Sequence, residues 1–195
     1  GLVSKKGEIL NQVSVDSKAC CGYKAVIKQI VTGVEKVLDG YKVHIGGVGI
    51  GSPGCVTVKK GIVENPPNFS GWESVALGSI LKKKLNTEVF VENDANAAAI
   101  GELIFGAGKK LNSFIMITLG TGFGGGIIYD KKIFRGETGS AGELGHVTID
   151  YKGNQCNCGN IGCVETYTGN NYLINAVKDE IGNHKDSEIL KIIDN

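Results

Sequence analysis

The pattern of apolar and polar positions predicts short strands interspersed with helices. Residues 41–48 alternate and then run apolar, which is typical of a buried strand, and the glycine-rich segment 49–54 is predicted as a loop. Residues 55–58 and 61–63 are predicted as short strands. Residues 74–85 have apolar positions at helical spacing, and these are Val75, Leu77, Ile80, Leu81 and Leu85.

A polar pair lies where a predicted strand meets a predicted helix. Residues 88–91 are predicted as the strand, and the alanine-rich segment Asp94–Gly106 as the helix, with Asn93 or Asp94 near its N-cap. Ligands bind beyond the carboxyl ends of strands in open α/β sheets. The carboxylate of Asp94 could therefore accept a proton from a substrate hydroxyl. The alternative is that Asp94 only caps the helix.

A glycine-rich turn is predicted to join two apolar strands. Phe114–Leu119 and Ile127–Tyr129 form the predicted hairpin, and Gly120–Gly126 forms its turn. Backbone N–H groups and the Thr121 hydroxyl could converge there on a phosphate. The segment has no Gly-Lys-Ser/Thr sequence, so it is not a Walker A loop. The alternative is a hairpin with a purely structural role.

The last third of the chain continues the alternation. Val147–Ile149 is predicted as a strand, and helices are predicted over much of Glu165–Asp194. Alternating strands and helices indicate the α/β class. We predict an N-terminal α/β domain over residues 1–110, which carries Asp94, and the start of a second α/β domain over residues 111–195.

Composition narrows the classes of protein. The chain has 195 residues, and its net charge of +1 argues against a nucleic-acid surface, which would show as a basic excess. No stretch is long and apolar enough to cross a bilayer, and the first residues do not resemble a signal peptide. We therefore expect a cytoplasmic protein whose six cysteines are not engaged in disulfides.

Three cysteines and a histidine form a candidate metal site. Cys156, Cys158 and Cys163 fall within eight residues, and His146 lies ten positions before the first of them. Three thiolates and one imidazole make a tetrahedral zinc set. The alternative is free thiols or a disulfide. The fourth ligand could also come from one of the other two histidines, His44 and His184.

Two glutamates flank the cysteine segment. Glu143 precedes His146 by three positions, and Glu165 follows Cys163 by two. A zinc site would bring both carboxylates beside the metal, where burial costs free energy unless hydrogen-bond partners are present. Sugar hydroxyls can serve as those partners. The alternative is that both glutamates are exposed or salt-bridged.

Together these motifs resemble the ROK family (repressor, open reading frame, kinase), and the resemblance covers most of the chain. The most specific match is Cys156–Glu165, which has the family's Cys-x-Cys-Gly-x-x-Gly-Cys-x-Glu pattern without departure. The other matching segments follow the family's order and are Gly49–Gly54, Pro67–Phe69 with Trp72, Glu92–Ala97, Leu119–Gly126 and Gly142–His146.

The resemblance implies the actin-like, ribonuclease-H-like ATPase fold, with two domains and a cleft between them. It implies that Asp94 is the base of an ATP- and Mg²⁺-dependent hexose kinase. The implied phosphate contacts are Gly120, Thr121 and Gly122. The implied sugar contacts are Gly54, Asn68, Asn93, Asp94, Glu143, His146 and Glu165. A structural zinc would shape the sugar pocket through His146, Cys156, Cys158 and Cys163.

The resemblance leaves the substrate and the function class open. Glucose is favoured because the family members that the chain resembles are glucokinases, with N-acetylmannosamine, fructose, mannose and allose as alternatives. The family also contains sugar-responsive transcription repressors, which bind DNA through an additional N-terminal domain. A purely structural zinc module is a third class, but it would leave Asn93, Asp94 and the glycine turn unexplained.

The chain departs from the family pattern at both ends. Family members begin with an Asp-x-Gly-Gly-Thr phosphate loop just before the segment that residues 1–10 match, and they extend beyond the length of this chain. We therefore expect a truncated piece of a longer protein, inactive by itself. The parent is expected to form a homodimer or tetramer.

Overall fold

The computed structural model of the chain describes residues 1–181, 184 and 189. The strands in this part are β1 (Leu2–Val3), β2 (Ile9–Asn11), β3 (Val48–Ser52), β4 (Cys55–Thr57), β5 (Ile62–Glu64), β6 (Ser74–Val75), β7 (Val89–Asn93), β8 (Phe114–Leu119), β9 (Phe123–Tyr129) and β10 (Lys132–Ile133). The helices are α1 (Tyr23–Leu38), α2 (Leu77–Leu85), α3 (Asp94–Ile104), α4 (Glu165–Thr168) and α5 (Asn170–Ile181).

A parallel pair of strands, β3 and β7, positions the polar residues of the first half. The pair is in register from Val48 opposite Val89 to Ser52 opposite Asn93. The chain between the two strands forms the antiparallel sheet β4-β5-β6 and then α2. Parallel strands need such a crossover. As a result β3 and β7 end at the same edge, where α3 begins.

The apolar core of the first half lies between α1, α2 and the strands. Its buried members are Val26, Ile27, Val63, Trp72, Val75, Leu77, Leu81 and Val91. Trp72 also donates its indole N–H to the carbonyl oxygen of Val63, at 3.1 Å. Because Val91 of β7 is part of this core, the end of β7 is held firmly where Asn93 and Asp94 follow.

A second, antiparallel sheet has the strand order β10-β9-β8, and α3 packs across β9. A Cβ atom added at Gly126 would lie 2.5 Å from the Ala99 Cβ, and one at Gly124 would lie 3.1 Å from the Ala95 Cβ. The helix approaches the strand this closely because glycines of β9 face alanines of α3. The contact joins α3 to the hairpin that carries the glycine turn.

The predicted strand at residues 41–48 is wrong in position. Residues 41–47 have no regular secondary structure, and β3 instead spans Val48–Ser52, inside the segment predicted as a loop. The parallel pairing with β7 determines the position of β3. The glycines of β3 also leave room for the start of α3, which packs close to this strand. A Cβ at Gly51 would lie 3.3 Å from the Cα of Asp94.

Two predictions in the second half also differ from the structure. The turn of the β8–β9 hairpin is shorter than predicted, because β9 begins at Phe123 and includes three of the glycines. Val147–Ile149 does not form a strand, although Thr148 makes an isolated bridge to Cys163. This segment folds against the cysteine segment instead, and Ile149 donates its N–H to the Gly162 carbonyl oxygen at 2.8 Å.

The remaining element predictions are confirmed for β4, β5, α2, β7, α3 and β8, with boundaries that differ by at most three residues. The predicted helices after residue 165 are α4 and α5 as far as Ile181, and the rest of that prediction lies outside the described residues. The pattern analysis missed α1, which buries Val26, Ile27 and Val37. The domain division after residue 110 stays a prediction.

In the described part of the chain, no helix has the length and apolar character needed to cross a membrane.

Candidate active site and metal centre

The start of α3 presents two polar side chains with different roles. Asn93 is the N-cap, and its Oδ1 accepts the N–H of Asn96 at 3.1 Å. Asp94 is the first helical residue and is exposed; its Oδ1 accepts the N–H of Ala95 at 2.9 Å. The sequence did not decide whether Asn93 or Asp94 caps the helix, and the structure shows that Asn93 does. Asp94 stands at the carboxyl end of a parallel strand, where α/β proteins bind ligands.

Asn93 also reaches the end of β3. Its Nδ2 donates to the Gly54 carbonyl oxygen at 3.4 Å. Gly54 has a φ of 84°, and a Cβ added there would lie 2.7 Å from the Cα of Pro66. Only glycine fits this backbone conformation and this spacing. The loop after β3 is thereby held against the start of α3.

A cleft lies beside these residues and brings together part of the predicted sugar site. It is lined by Gly54, Cys55, Glu92, Asn93, Arg135 and Glu143, among others. Three of the predicted sugar contacts, Gly54, Asn93 and Glu143, therefore lie together. Asn68 is exposed at a left-handed position with a φ of 67° and lies outside the lining. Asp94, His146 and Glu165 also lie outside the lining, and the roles of all the predicted sugar contacts stay predictions.

The sequence interpretation missed the ion pair between Glu92 and Arg135. Arg135 donates from Nε to Glu92 Oε2 at 3.1 Å, and its Nη2 contacts the same oxygen. The two residues are 43 positions apart, and no local pattern indicates that they meet. Only their opposite charges, which many other residue pairs in the sequence share, could have indicated the pair.

The four predicted metal ligands are brought together. One donor atom from each of His146, Cys156, Cys158 and Cys163 lies within 4.8 Å of every other. The Sγ atoms of Cys158 and Cys163 are 3.7 Å apart, and His146 Nδ1 is 3.8 Å from the Cys156 Sγ. Zn–S bonds of about 2.3 Å in a tetrahedron place sulfur atoms about 3.8 Å apart. The cluster therefore fits a tetrahedral zinc ion.

Backbone turns close the cysteine segment around this cluster. Cys156 donates its N–H to the Asn160 carbonyl oxygen at 2.8 Å, and Gly159 donates to the Cys156 carbonyl oxygen at 3.0 Å. Gly159 and Gly162 have φ values of 92° and 67°, which favour glycine. A Cβ at Gly162 would also lie 1.6 Å from the Asp150 carbonyl oxygen. The glycines of the motif are thus required by the knuckle.

Two thiols of the cluster, Cys163 and Cys158, have pKa values that are shifted in opposite directions. Burial, together with the neighbouring thiols of Cys156 and Cys158, raises the pKa of Cys163 to about 12. A backbone hydrogen bond from Asn160 lowers the pKa of Cys158. Without a cation, Cys163 therefore holds its proton at neutral pH. A bound metal would have to displace that proton, because thiolates are the ligands.

His146 connects the metal cluster to the cleft. Its Nδ1 faces Cys156, and its Nε2 lies 3.9 Å from Oε2 of Glu143. Both side chains are partly exposed. A metal on Nδ1 would leave Nε2 directed toward Glu143 and would fix the ring's orientation.

Glu165 contacts the glycine turn. Its Oε2 accepts the N–H of Phe123 at 2.9 Å, and a Cβ at Gly122 would lie 2.3 Å from the same oxygen. The predicted sugar contact Glu165 therefore lies beside the predicted phosphate contacts. Because Glu165 follows Cys163 by two residues, the metal knuckle and the turn are linked through it.

One backbone N–H donor of the glycine turn is engaged in a hydrogen bond within the turn itself. Gly120 donates its N–H to the Gly122 carbonyl oxygen at 3.0 Å, and its own carbonyl oxygen accepts the N–H of Asn170 at 2.9 Å. Thr121, at the tip, is exposed. A phosphate held here by the Gly120 N–H would have to replace that internal hydrogen bond.

These features define an α/β protein with the actin-like ATPase fold. The structure of a ROK family glucokinase from Streptomyces griseus, in complex with glucose and AMPPNP, matches with a TM-score of 0.81 and 37% identity, over 92% of this chain and 56% of that one. The chain belongs to the ROK family, whose model matches residues 1–195. The sequence-based fold class is thereby confirmed.

Relatives of both function classes are similar to the chain. A glucokinase from Thermotoga maritima is 43% identical over 165 residues, which cover 85% of this chain and 51% of the relative. A xylose repressor from Caldicellulosiruptor bescii is 44% identical over 132 residues, which cover 68% of this chain and 33% of the repressor. The chain spans about half the length of the glucokinases it matches.

Proposed function

We propose that the protein containing this chain is an ATP-dependent hexose kinase, with glucose as the favoured sugar. The observation that carries the proposal is the exposed carboxylate of Asp94, which directly follows β7 and the cleft-lining residue Asn93. The similarity to glucokinases, one of them in complex with glucose and AMPPNP, supports it. Glucose 6-phosphate and ADP are the expected products.

In this mechanism Asp94 accepts the proton of the attacking sugar hydroxyl. The N-cap hydrogen bond of Asn93 fixes the start of α3 and thereby the backbone that carries Asp94, whose Oδ1 accepts the N–H of Ala95. Asn93, Glu143 and His146 hold other hydroxyls of the sugar and align the reacting oxygen for in-line attack. Phosphoryl transfer depends mainly on such positioning and on electrostatic stabilisation.

The two metals have separate roles in this proposal. His146, Cys156, Cys158 and Cys163 would hold zinc, which would orient the imidazole that faces Glu143. Magnesium would arrive with the nucleotide and would supply neutralisation of the phosphate charge. The turn at Gly120–Gly122 contributes backbone donors and the Thr121 hydroxyl to the transferring phosphate.

A sugar panel tests the proposed reaction. The full-length protein is mixed with ATP, Mg²⁺ and glucose, mannose, fructose, allose or N-acetylmannosamine, and ADP release is followed. The highest kcat/KM is expected with glucose. A higher value with another hexose would correct the substrate, and no sugar-dependent ADP release with any of them would refute the kinase. Replacing ATP by polyphosphate identifies the phosphoryl donor.

The second candidate is a sugar-responsive repressor, because the xylose repressor relative is as similar over its matched segment as the glucokinase. The retained Asp94 favours the kinase, since a repressor needs no base. A repressor would bind operator DNA, release it on adding xylose, and show no ADP release. Both measurements on the same preparation separate the two classes.

We propose a cytoplasmic homo-oligomer, a dimer or tetramer, as the working form. Cys20, Cys21, Cys55, Cys156, Cys158 and Cys163 are all free thiols, which fits a reducing compartment. Light scattering on the full-length protein tests the assembly, and a monomer at micromolar concentration would contradict it.

A further inference from the structure

Glu92 and Arg135 join two segments of the candidate site. Glu92 lies at the end of β7, directly before Asn93 and Asp94. Arg135 follows β10 and precedes the segment that leads to Glu143 and His146. Two N–H groups of the guanidinium donate to Oε2 of Glu92. The side chain of Glu92 is only 14% exposed and that of Arg135 35%, so the pair is partly shielded from water.

The other carboxylate oxygen of Glu92 holds the start of α3. Oε1 accepts the N–H of Asn93 at 3.0 Å and the side-chain Nδ2 of Asn96 at 3.4 Å. The N–H of Asn96 in turn is capped by Asn93. One carboxylate therefore engages Arg135 on one side and the turn that presents Asp94 on the other.

The main chain at Arg135 begins the loop that leads to Glu143. Its carbonyl oxygen accepts the N–H of Ala141 at 3.1 Å, which closes the loop between them. A Cβ at Gly142 would lie 3.1 Å from Oδ1 of Asn96, so the end of this loop touches α3 directly. Asn96 is 4% exposed, and this oxygen is buried without a hydrogen-bond partner. The loop thus contacts β7 through the Arg135 side chain at one end and α3 through Gly142 at the other.

We propose that Arg135 is a positioning residue that fixes the segment carrying Glu143 and His146 relative to Asp94. The inference rests on the proposed kinase function for its effect on catalysis. Arg135 acts through Glu92 and the loop, so it need not touch the sugar. Arginine suits this task because its planar group donates from two nitrogens at once, whereas lysine offers a single charged centre.

The direct test compares Arg135→Met, Arg135→Lys and Glu92→Gln with the unchanged full-length protein. Misplacement of reacting groups by about 1 Å can cost about 10²-fold in rate, so Arg135→Met is expected to lower kcat by about 10²-fold and to raise the glucose KM. Arg135→Lys should lose less. The double variant Glu92→Gln/Arg135→Met should lose no more than Arg135→Met, because the two residues act as one unit.

Lys132→Met is the matched control, because Lys132 is an exposed cation on the neighbouring strand. It should retain kcat and KM. If Arg135→Met does not fold, Arg135→Lys and the double variant, which leaves no unpaired charge, provide the same comparison. Unchanged kcat and KM in Arg135→Lys and in the double variant would overturn the proposal.

A second readout separates this inference from the proposed function. Amide hydrogen exchange is measured in Arg135→Met or, if that variant is unfolded, in the double variant. Faster exchange is expected at residues 141–146 and at Asn96, with no change in α2. This result is expected even if the protein phosphorylates no sugar, which would refute the kinase alone. Unchanged exchange at residues 141–146 would refute the positioning role.

Discussion

Nε2 of His146 lies 3.9 Å from Oε2 of Glu143, on a ring whose Nδ1 faces the thiol of Cys156. One imidazole therefore lies between the cysteine cluster and Glu143, a residue that lines the cleft. A cation bound by the cysteines would stop this ring from rotating and would keep Nε2 directed at Glu143. The metal could thus affect the cleft without contacting a substrate.

We predict one zinc ion per chain, because the donor atoms have tetrahedral spacing. Elemental analysis of protein purified without added zinc measures the stoichiometry. Cys158→Ser should lose the metal, while Cys21→Ser should keep it, because Cys21 lies outside the cluster. Protein without stoichiometric zinc, or with Cys156 in a disulfide, would contradict the assignment.

Zinc binding should release protons and weaken as the pH falls. Burial raises the pKa of Cys163 to about 12, so in the metal-free protein this thiol is protonated at pH 7, and zinc must displace that proton. Titrating metal-free protein with zinc in weak buffer with a pH indicator should show acidification. Competition with a chelator should show affinity rising with pH. A pH-independent affinity would argue against thiolate ligation.

Asp94→Asn should retain glucose binding and lower kcat by about 10²–10⁴-fold, which is the usual cost of losing a general base. Helix stability should change little, because Asn93 provides the side-chain cap. Calorimetric titration and ADP release on the full-length protein measure the two effects. Asp130→Asn is the control, since Asp130 is an exposed acid in a β-turn. Near-normal turnover of Asp94→Asn would mean that Asp94 is not the general base and only begins the helix.

Gly126→Ala should lower the free energy of unfolding by about 1–3 kcal/mol, the usual cost of an overpacked contact. The added Cβ would lie 2.5 Å from the Ala99 Cβ and 3.0 Å from the Ala95 carbonyl oxygen. Urea unfolding measures the change. Adding Ala99→Gly should restore part of the loss.

Gly101→Ala in α3 is the matched control for that variant, because nothing lies within 4 Å of its added Cβ. It should be neutral or stabilising by about 0.5–1 kcal/mol, since alanine is the better helix former. A Gly126→Ala variant as stable as Gly101→Ala would mean that the α3–β9 contact is looser than the structure shows.

The sequence predicted features that depend on local spacing. Cys156, Cys158 and Cys163 meet because turns at two glycines bring them together within eight residues, and Asp94 follows a strand as the pattern requires. Val48–Ser52 was missed as a strand because its glycines favour a loop locally, whereas pairing with β7 decides its conformation. The Glu92–Arg135 pair depends on how α3 packs on β9, which residue spacing does not encode.

The thiol of Cys55 gives the cleft a built-in chemical reporter. Cys55 is exposed, carries no disulfide and lines the cleft next to Gly54. A maleimide reagent can therefore label it, and peptide mass analysis distinguishes this label from those on the other exposed thiols. A sugar seated in the cleft would shield Cys55 and slow its labelling relative to that of Cys20. Occupancy could then be followed in the unmutated protein, without nucleotide and without turnover.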